Sequence, residues 1–397
     1  MKKFTSIVCS ICLLLFLLDG GLSLLDDSLG LIHVHVLGGL RALVFLFFIP
    51  VALLTYGLIG VTPMVPKRWF LPILLYAPAA LLGMILFAIY HSNLLPAATW
   101  CISLVEASLG LWVLWRAQGK IAFHWPLVPE AHMGDKAFRW SNLLGFLAGN
   151  FFVLLPGMLA GLLVCASLAL DHFTAGYLKL QSDGLVARAK TYVRADGKTI
   201  LLMPMMHMGE ADFYSQVARS FPRGAVILQE GVTDRKNLQN PKLDYSHLAM
   251  SLGLCSQKQE FSPSADGNPG DGPVWRRADV DVADFSPPTI NFLNLIARFY
   301  ANGPDSSLLQ ELLGKSPDAT LQEQLVTDLL VKRNEHLLGE IRTQLQSSNL
   351  IVVPWGAAHM PGISSELEHA GFHVSETQEF KIFNFRTVAD ALSAKSE

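Results

Sequence analysis

The chain has 397 residues, of which 51% are hydrophobic and 16% charged, and its formal net charge is −3. This composition, with a mean hydropathy of +0.37, excludes an ordinary soluble protein of the same length. The weak negative charge argues against a nucleic-acid partner. Only 15 of the 63 charged residues lie in the first 170 positions, which predicts a multi-span membrane region at 1–172 and a soluble domain at 173–397.

Apolar segments in the first part predict about five helices that cross a lipid bilayer. A helix needs about 20 apolar residues to cross about 30 Å of hydrocarbon. Four runs approach or reach this length, at 36–62, 70–90, 98–115 and 142–170. A shorter first run, Phe4 to Leu18, follows two lysines, so a cleaved signal peptide competes with an anchoring helix. We favour a span that extends toward Leu25.

The distribution of Lys and Arg predicts how the spans are oriented, since short loops that carry these residues tend to stay in the cytoplasm. The N-terminal lysines and the loops near 67–68 and 116–139 are basic, whereas the intervening loops, the first of which holds Asp19, Asp26 and Asp27, are neutral or acidic. Five spans that start inside place the soluble domain outside the cytoplasm. Near or within the lipid, Arg41 is expected to snorkel, and Glu106 is either a functional acid or paired inside the bundle.

The soluble part predicts an α/β domain. An Asp-Gly turn at 196–197 between two strand-like runs indicates a hairpin, and the helical run and strand that follow indicate a βαβ unit. Polar residues at 261–273 predict a mobile surface connection, with a lid as the alternative. Further elements are expected as helices at 289–301, 321–345 and 364–370 and as strands at 350–353 and 380–385.

Two histidines follow strand-like runs and precede helix-like runs: His207 and His359. Open α/β sheets bind ligands beyond the carboxyl ends of their strands, so both imidazoles can reach one site. Imidazole and carboxylate are common ligands of divalent metal ions, and Glu210 and Glu230 are the candidate carboxylates. A divalent metal ion held there would activate water for hydrolysis, and a second carboxylate would act as general base. The alternative is that each histidine is a hydrogen-bonded structural residue.

Two glycines and two arginines are further candidate site residues, and each has a functional and a structural interpretation. Gly356 and Gly362 flank His359 and allow a sharp strand-to-helix turn or a close approach of backbone to ligand. Backbone amides at the start of that helix are candidates to stabilise an oxyanion. Arg235 and Arg333 either hold the carboxylate of a peptide substrate or pair with Glu230 and Glu335, respectively.

Taken in order, these segments resemble the TraB/GumN family, which includes pheromone-shutdown proteins and the Tiki proteases and is related to the erythromycin-esterase/ChaN-like fold. The resemblance covers most of 185–385. A strand ending in a GTxH motif aligns with the segment that ends at His207, and a strand ending in Glu followed by Arg aligns with Glu230 and Arg235. A helical Arg-Asn pair aligns with Arg333 and Asn334, and a second GxxH motif aligns with Gly356 to His359, followed by Gly362.

The resemblance implies a TraB/Tiki-like fold and metal-dependent hydrolysis of a peptide or protein through His207, His359 and Glu230, or peptide capture at a membrane. The first motif departs from the family pattern, because Pro204 stands where the family has glycine. Proline fixes φ near −65° and cannot donate a backbone hydrogen bond, so a site that needs that glycine would be altered. Three function classes therefore stand side by side: a membrane-tethered metallohydrolase, a non-catalytic binding protein, and a small transporter or channel gated by the domain.

Overall fold

The computed structural model describes residues 1–32, 34, 36–241, 244–257, 273–302 and 319–394. Most of the predicted connection at 261–273 lies outside these residues. The chain divides into two compact units, Met1–Ala169 and Leu170–Glu397. Composition alone predicts this boundary slightly later, after residue 172.

The first unit is helical, and among the described residues five helices are long and apolar enough to cross a membrane. They are α1 (Lys2–Gly30), α2 (Gly38–Val61), α3 (Lys67–Tyr90), α4 (Leu95–Gln118) and α5 (Trp140–Phe173), the last with a π-helical turn over Asn150–Leu154. The prediction of five long apolar helices is confirmed. Helix α1 ends at Gly30, beyond the favoured end near Leu25, so Asp26 and Asp27 lie in the helix, as Asp19 does, rather than in a loop after it.

Small residues let α1 and α4 approach closely. A methyl group placed on Gly110 would lie 2.7 Å from Cδ2 of Leu17, and one on Gly20 would lie 3.0 Å from the backbone nitrogen of Ala107. Small residues at such contacts are the usual means of close helix packing in lipid. The side chains of Cys9, Cys12, Leu13 and Phe16 on α1 are consequently buried.

The second unit is an α/β domain with a mixed sheet. Its strands are β1 (Leu178–Gln181), β2 (Gly184–Val193), β3 (Thr199–Met205), β4 (Met208–Gly209), β5 (Val226–Gln229), β6 (Cys255–Ser256), β7 (Val274–Arg277), β8 (Leu350–Gly356) and β9 (His373–Asn384). Its helices are α6 (Ala211–Ser220), α7 (Ser246–Ser251), α8 (Pro287–Asn302), α9 (Ala319–Val326), α10 (Lys332–Gln344), α11 (Met360–His369) and α12 (Phe385–Ser393).

Within the described residues, seven strands form one sheet in the order β1-β2-β3-β8-β5-β7, and β9 pairs with the other edge of β2. Strands β3, β8, β5 and β7 run parallel to one another, whereas β2 is antiparallel to β1, β3 and β9. The predicted hairpin is confirmed as β2 and β3, and Gly197 in its turn has a φ of +81°, which a glycine adopts without strain. Strand β8 lies between β3 and β5, so these two strands of the βαβ unit are not neighbours.

Strands β3 and β8 are buried on both faces, which explains why their sequences are continuous apolar runs. Successive residues of β3 alternate between two hydrophobic clusters, with Met203 on the side of α6 and Leu202 on the side of α10 and α11. In β8, Val352 and Val353 alternate in the same way. The long predicted helix is divided, because a π-helical turn over Thr327–Val331 separates α9 from α10.

Candidate functional site

Four neighbouring parallel strands each lead to a titratable side chain at their carboxyl ends. Strand β3 leads to His207, β8 to His359, β5 to Glu230 and β7 to Asp279. Parallel strands present their carboxyl ends at the same edge of a sheet, which is where open α/β sheets bind ligands. The order of the strands therefore assembles residues that are up to 152 positions apart in the chain.

Arg333, on the first turn of α10, joins three of these strand ends. Its Nε and Nη2 donate to the two carboxylate oxygens of Asp279 at 3.0 and 2.6 Å, and Nη2 also donates to Oε1 of Glu230 at 2.7 Å. Its Nη1 faces Nε2 of His359 at 3.1 Å and the carbonyl oxygen of Leu329 at 3.5 Å. These contacts use all five N–H groups of a guanidinium. Arg333 thus organises the site, and no N–H group is left to bind a substrate carboxylate.

Arg333 is the shared cation of two acids, Asp279 and Glu230. The Asp279 side chain is fully buried and also accepts backbone hydrogen bonds from Gly231 and Val280 at 2.9 Å. Burial alone lowers the pKa of Arg333, but Asp279 and Glu230 outweigh it and raise the pKa above its ordinary value. The guanidinium carbon also lies 5.3 Å from the centre of the Trp355 ring, a favourable cation–π distance.

His359 is buried, and both of its ring nitrogens are engaged. Nδ1 lies 2.7 Å from Oδ1 of Asn334, which accepts, while Nε2 faces the obligate donor Arg333. The proton therefore resides on Nδ1, and Nε2 carries the lone pair. Burial, assisted by the positive charge of Arg333, outweighs the nearby carboxylates and lowers the pKa of His359 to about 4. His359 is accordingly neutral at physiological pH.

Glu230 bridges Arg333 and the end of β8. Its Oε2 accepts a hydrogen bond of 2.6 Å from the backbone nitrogen of Gly356, and its Oε1 lies 3.7 Å from Nε2 of His359. Gly356 has an ordinary φ of −50°, so this glycine is not required by a left-handed turn. The close approach that the sequence predicted is made at this position by the carboxylate of Glu230.

Gly362 is required by packing. A methyl group at Gly362 would lie 2.7 Å from Nδ2 of Asn334, whose Oδ1 positions His359. We expect Gly362→Ala to displace Asn334 and to lower the free energy of unfolding by about 1–3 kcal/mol, the usual cost of overpacking. Gly339→Ala on α10 is the matched control, because no atom lies within 4 Å of the added methyl, and it should stabilise by up to about 1 kcal/mol. Thermal unfolding of the full chain measures both, and equal effects would contradict this packing argument.

His207 differs from His359 because its side chain is exposed. Its ring stacks on Tyr245 with centres 5.0 Å apart and planes 8° from parallel, and Tyr245 in turn meets Tyr300 edge-on at 5.4 Å. His207 lies close enough to His359 to contribute to lowering the pKa of that residue. The imidazole of His207 is therefore accessible, lies beside the buried cluster and packs against Tyr245.

Pro204 lies where a missing N–H group is tolerated. It pairs in register with Trp355 of β8, beyond Leu202, the last residue of β3 that pairs with β2. The proline therefore leaves the β3–β8 register intact up to Met205, and His207 still follows the strand end.

The sequence predicts Glu210 and Arg235 as site residues, but both side chains contact residues outside the cluster around Arg333. Glu210 accepts hydrogen bonds from the backbone nitrogen of Asn384 at 2.9 Å and the hydroxyl of Thr387 at 2.7 Å. Burial raises the pKa of Glu210, but these hydrogen bonds outweigh it and hold the pKa below its ordinary value. The Arg235 side chain is 85% exposed and lies 3.9 Å from Asp281. It is Arg333 that pairs with Glu230.

The cluster does not fit the predicted divalent metal ion in this arrangement. A cation placed between His359 and Glu230 would meet the guanidinium of Arg333, which already contacts both. Among the described residues, no group of three or more His, Cys, Asp or Glu side chains is arranged to hold a metal. Arg333 supplies the positive charge that a metal ion would otherwise bring to Glu230.

Sequence reasoning missed Asp279 and Tyr245. Asp279 follows a short strand, as Glu230 does, and this shared position was an available signal. Tyr245 has no such signal, because it reaches His207 through the tertiary structure alone. The residues that the structure does bring together are His207, Glu230, Arg333, Asn334, Gly356 and His359, with Gly362 packed against Asn334.

The fold and site define a class of protein: a helical unit with five long apolar helices, followed by an α/β domain with a polar cluster at the carboxyl edge of its parallel strands. Comparison of the chain with protein-family models, curated proteins and solved structures finds no match in any of the three.

Proposed function

We propose that the chain is a membrane-tethered hydrolase of the TraB/GumN type that acts on a peptide or protein. The observation that carries this proposal is the convergence of four neighbouring parallel strands on His207, His359, Glu230 and Asp279. Perturbed, buried charges at the carboxyl edge of such a sheet are typical of catalytic sites. In the first unit, loops rich in Lys and Arg alternate with neutral or acidic loops, and this pattern supports placement of the α/β domain outside the cytoplasm.

In this proposal His207 is the general base, because its imidazole is exposed and lies beside the buried cluster. It removes a proton from the attacking water as that water adds to a substrate carbonyl, and the protonated imidazole then returns this proton to the amine that leaves when the C–N bond breaks. The start of α11 does not supply the oxyanion donors expected from the sequence, because the Met360 N–H donates to the carbonyl oxygen of Ala357 and Pro361 has no N–H. Arg333 and Asn334 hold His359 and Glu230 in place beneath the crevice.

Replacement of His207 tests this role. We expect His207→Ala to lower kcat of peptide hydrolysis by about 10²- to 10⁴-fold with little change in stability, since a general base contributes rate rather than packing. His369→Ala is the matched control, because His369 on α11 is likewise exposed. The full chain is assayed in detergent against a mixed peptide library, with products identified by mass spectrometry. Unchanged hydrolysis in His207→Ala would contradict the proposal.

The same assay decides whether a divalent metal ion takes part. Hydrolysis that survives a chelator, in protein without stoichiometric metal, supports Arg333 as the group that neutralises Glu230. Hydrolysis that is lost with chelator and restored by a divalent ion supports the metal-dependent form of the hypothesis and requires Arg333 to withdraw from Glu230.

Capture of a peptide without cleavage is the second candidate. Its support is that Arg333 and both nitrogens of His359 are already engaged, which leaves His207 as the exposed member of the cluster. The stacked pair His207 and Tyr245 would then contact the peptide. Peptide binding that is weakened by His207→Ala, without any product from the unmodified chain, identifies capture.

A further inference from the structure

The helical unit contains a cavity of about 460 Å³ among α1, α2, α3 and α4. One part of its wall is acidic, with Asp19 and Glu106, and another part is aromatic, with Phe16, Phe48 and Tyr76. Ligand pockets are commonly about 300–1,000 Å³, mostly apolar and furnished with a few polar groups. The cavity has both the size and the lining of a site for a small organic molecule.

Asp19 and Glu106 are held side by side by the close packing of α1 and α4. A methyl group on Gly20, next to Asp19, would lie 3.2 Å from Cγ of Glu106. Both acids are more than nine-tenths buried, at 6% and 8% exposure. Two neighbouring carboxyl groups in such surroundings are costly unless a positive charge or a hydrogen-bond donor reaches them.

Arg41 also lines the cavity, together with Asp26, but its closest acids are Asp26 and Asp27. Nη1 of Arg41 lies 3.2 Å from Oδ1 of Asp27 and 3.8 Å from Oδ2 of Asp26. Oδ1 of Asp19 is buried and accepts no hydrogen bond from an N–H or hydroxyl group of any residue that the structure describes, and the hydrogen-bonding neighbour of the Asp19 carboxyl group is the carboxyl group of Glu106. The pair formed by Asp19 and Glu106 therefore lacks the direct ion pair that Asp26 and Asp27 have.

The aromatic part of the cavity wall favours an occupant with an apolar body. The ring centres of Phe16 and Phe48 lie 5.8 Å apart, and Phe16 meets Tyr76 edge-on at 5.9 Å. Aromatic faces attract organic cations as well as apolar groups. A bare divalent ion fits less well, because it needs several converging oxygens and the described residues offer no group of three acidic, His or Cys ligands arranged for a metal.

We propose that this cavity binds a protonated amine that carries an apolar or aromatic group. The ammonium donates N–H groups to both Asp19 and Glu106 and supplies one positive charge to the pair, while the apolar body packs on Phe16, Phe48 and Tyr76. This site is separate from the one at the carboxyl edge of the sheet and does not depend on the hydrolase proposal.

Equilibrium dialysis of the full chain in detergent tests the site, with 2-phenylethylammonium as the probe and 2-phenylethanol as its neutral counterpart of similar size. We expect the amine to bind at least tenfold more tightly than the alcohol, and the doubly substituted Asp19→Asn, Glu106→Gln chain to lose this preference. Glu130→Gln is the matched control, since Glu130 is an exposed acid of the same unit, and it should bind as the unmodified chain does.

A second variant keeps the test informative if loss of the acids impairs folding. Ala80→Leu adds volume to the cavity wall without removing a charge and should weaken amine binding by at least tenfold. Circular dichroism of each variant reports whether the helices are retained. Equal binding of amine and alcohol, binding that survives the double substitution in a folded chain, absence of amine binding, or selective binding of an inorganic cation instead would each overturn the proposal.

Discussion

Replacing Arg333 by methionine is expected to destabilise the α/β domain by about 3–5 kcal/mol. Methionine keeps much of the aliphatic length but leaves Asp279, whose side chain is fully buried, and Glu230 without their common cation. Removal of one partner from a buried ion pair costs this much because an uncompensated charge remains inside. Native-state hydrogen exchange at the amides of β5 and β8, measured on the full chain in detergent, reports the local free energy of unfolding.

Arg235→Met is the matched control for this experiment. Arg235 is 85% exposed and lies 3.9 Å from Asp281, so its loss should change the free energy of unfolding by no more than about 0.5 kcal/mol. Arg333→Lys should fall between the two, because one ammonium cannot contact Asp279, Glu230 and His359 together. Similar small effects for Arg333→Met and Arg235→Met would show that Arg333 does not form buried ion pairs with Asp279 and Glu230.

The second large expected effect is a loss of stability between pH 6.5 and pH 4. The pKa of His359 falls from 6.5 to about 4 in the folded chain, chiefly because the ring is buried. The unfolded chain therefore takes up a proton at a pH where the folded chain does not. The stabilisation from neutral His359 is complete above pH 6.5 and is lost as the pH falls toward 4, which amounts to about 3 kcal/mol.

The pH dependence is measured by the same hydrogen-exchange method at intervals from pH 7.5 to 4.5, with correction for the intrinsic exchange rate. His359→Gln should flatten the slope between pH 6.5 and 5, above the range in which carboxylates with lowered pKa values, such as Asp328 at about 2, contribute. His369→Gln should retain the slope, since His369 is exposed. A slope that is unchanged in His359→Gln would contradict the burial of a neutral imidazole at this position.

Periodicity and composition were sufficient for the five apolar helices and for part of the α/β domain, but not for short elements such as β1 and β7. Five apolar helices and the β2–β3 hairpin follow from run length and from the Asp-Gly turn, because these signals are local. The insertion of β8 between β3 and β5 does not follow, since strand order depends on which apolar faces pack together across more than a hundred residues. The position of Asp26 and Asp27 inside α1 was also not expected, because acids that follow an apolar run usually indicate the end of a span.

The candidate site likewise contains residues that the sequence predicts and residues that only the tertiary structure brings to it. The sequence by itself placed His207, Glu230 and His359 after strands and Arg333 on a helix, because strand ends that feed helices are recognisable locally. Only the tertiary structure decided that Asp279 joins them, that Glu210 binds Asn384 and Thr387 instead, and that Arg333 occupies the space between Glu230 and His359. The physical reason is that three-dimensional packing determines which group lies next to a buried charge. The spacing of residues along the sequence does not indicate this partner.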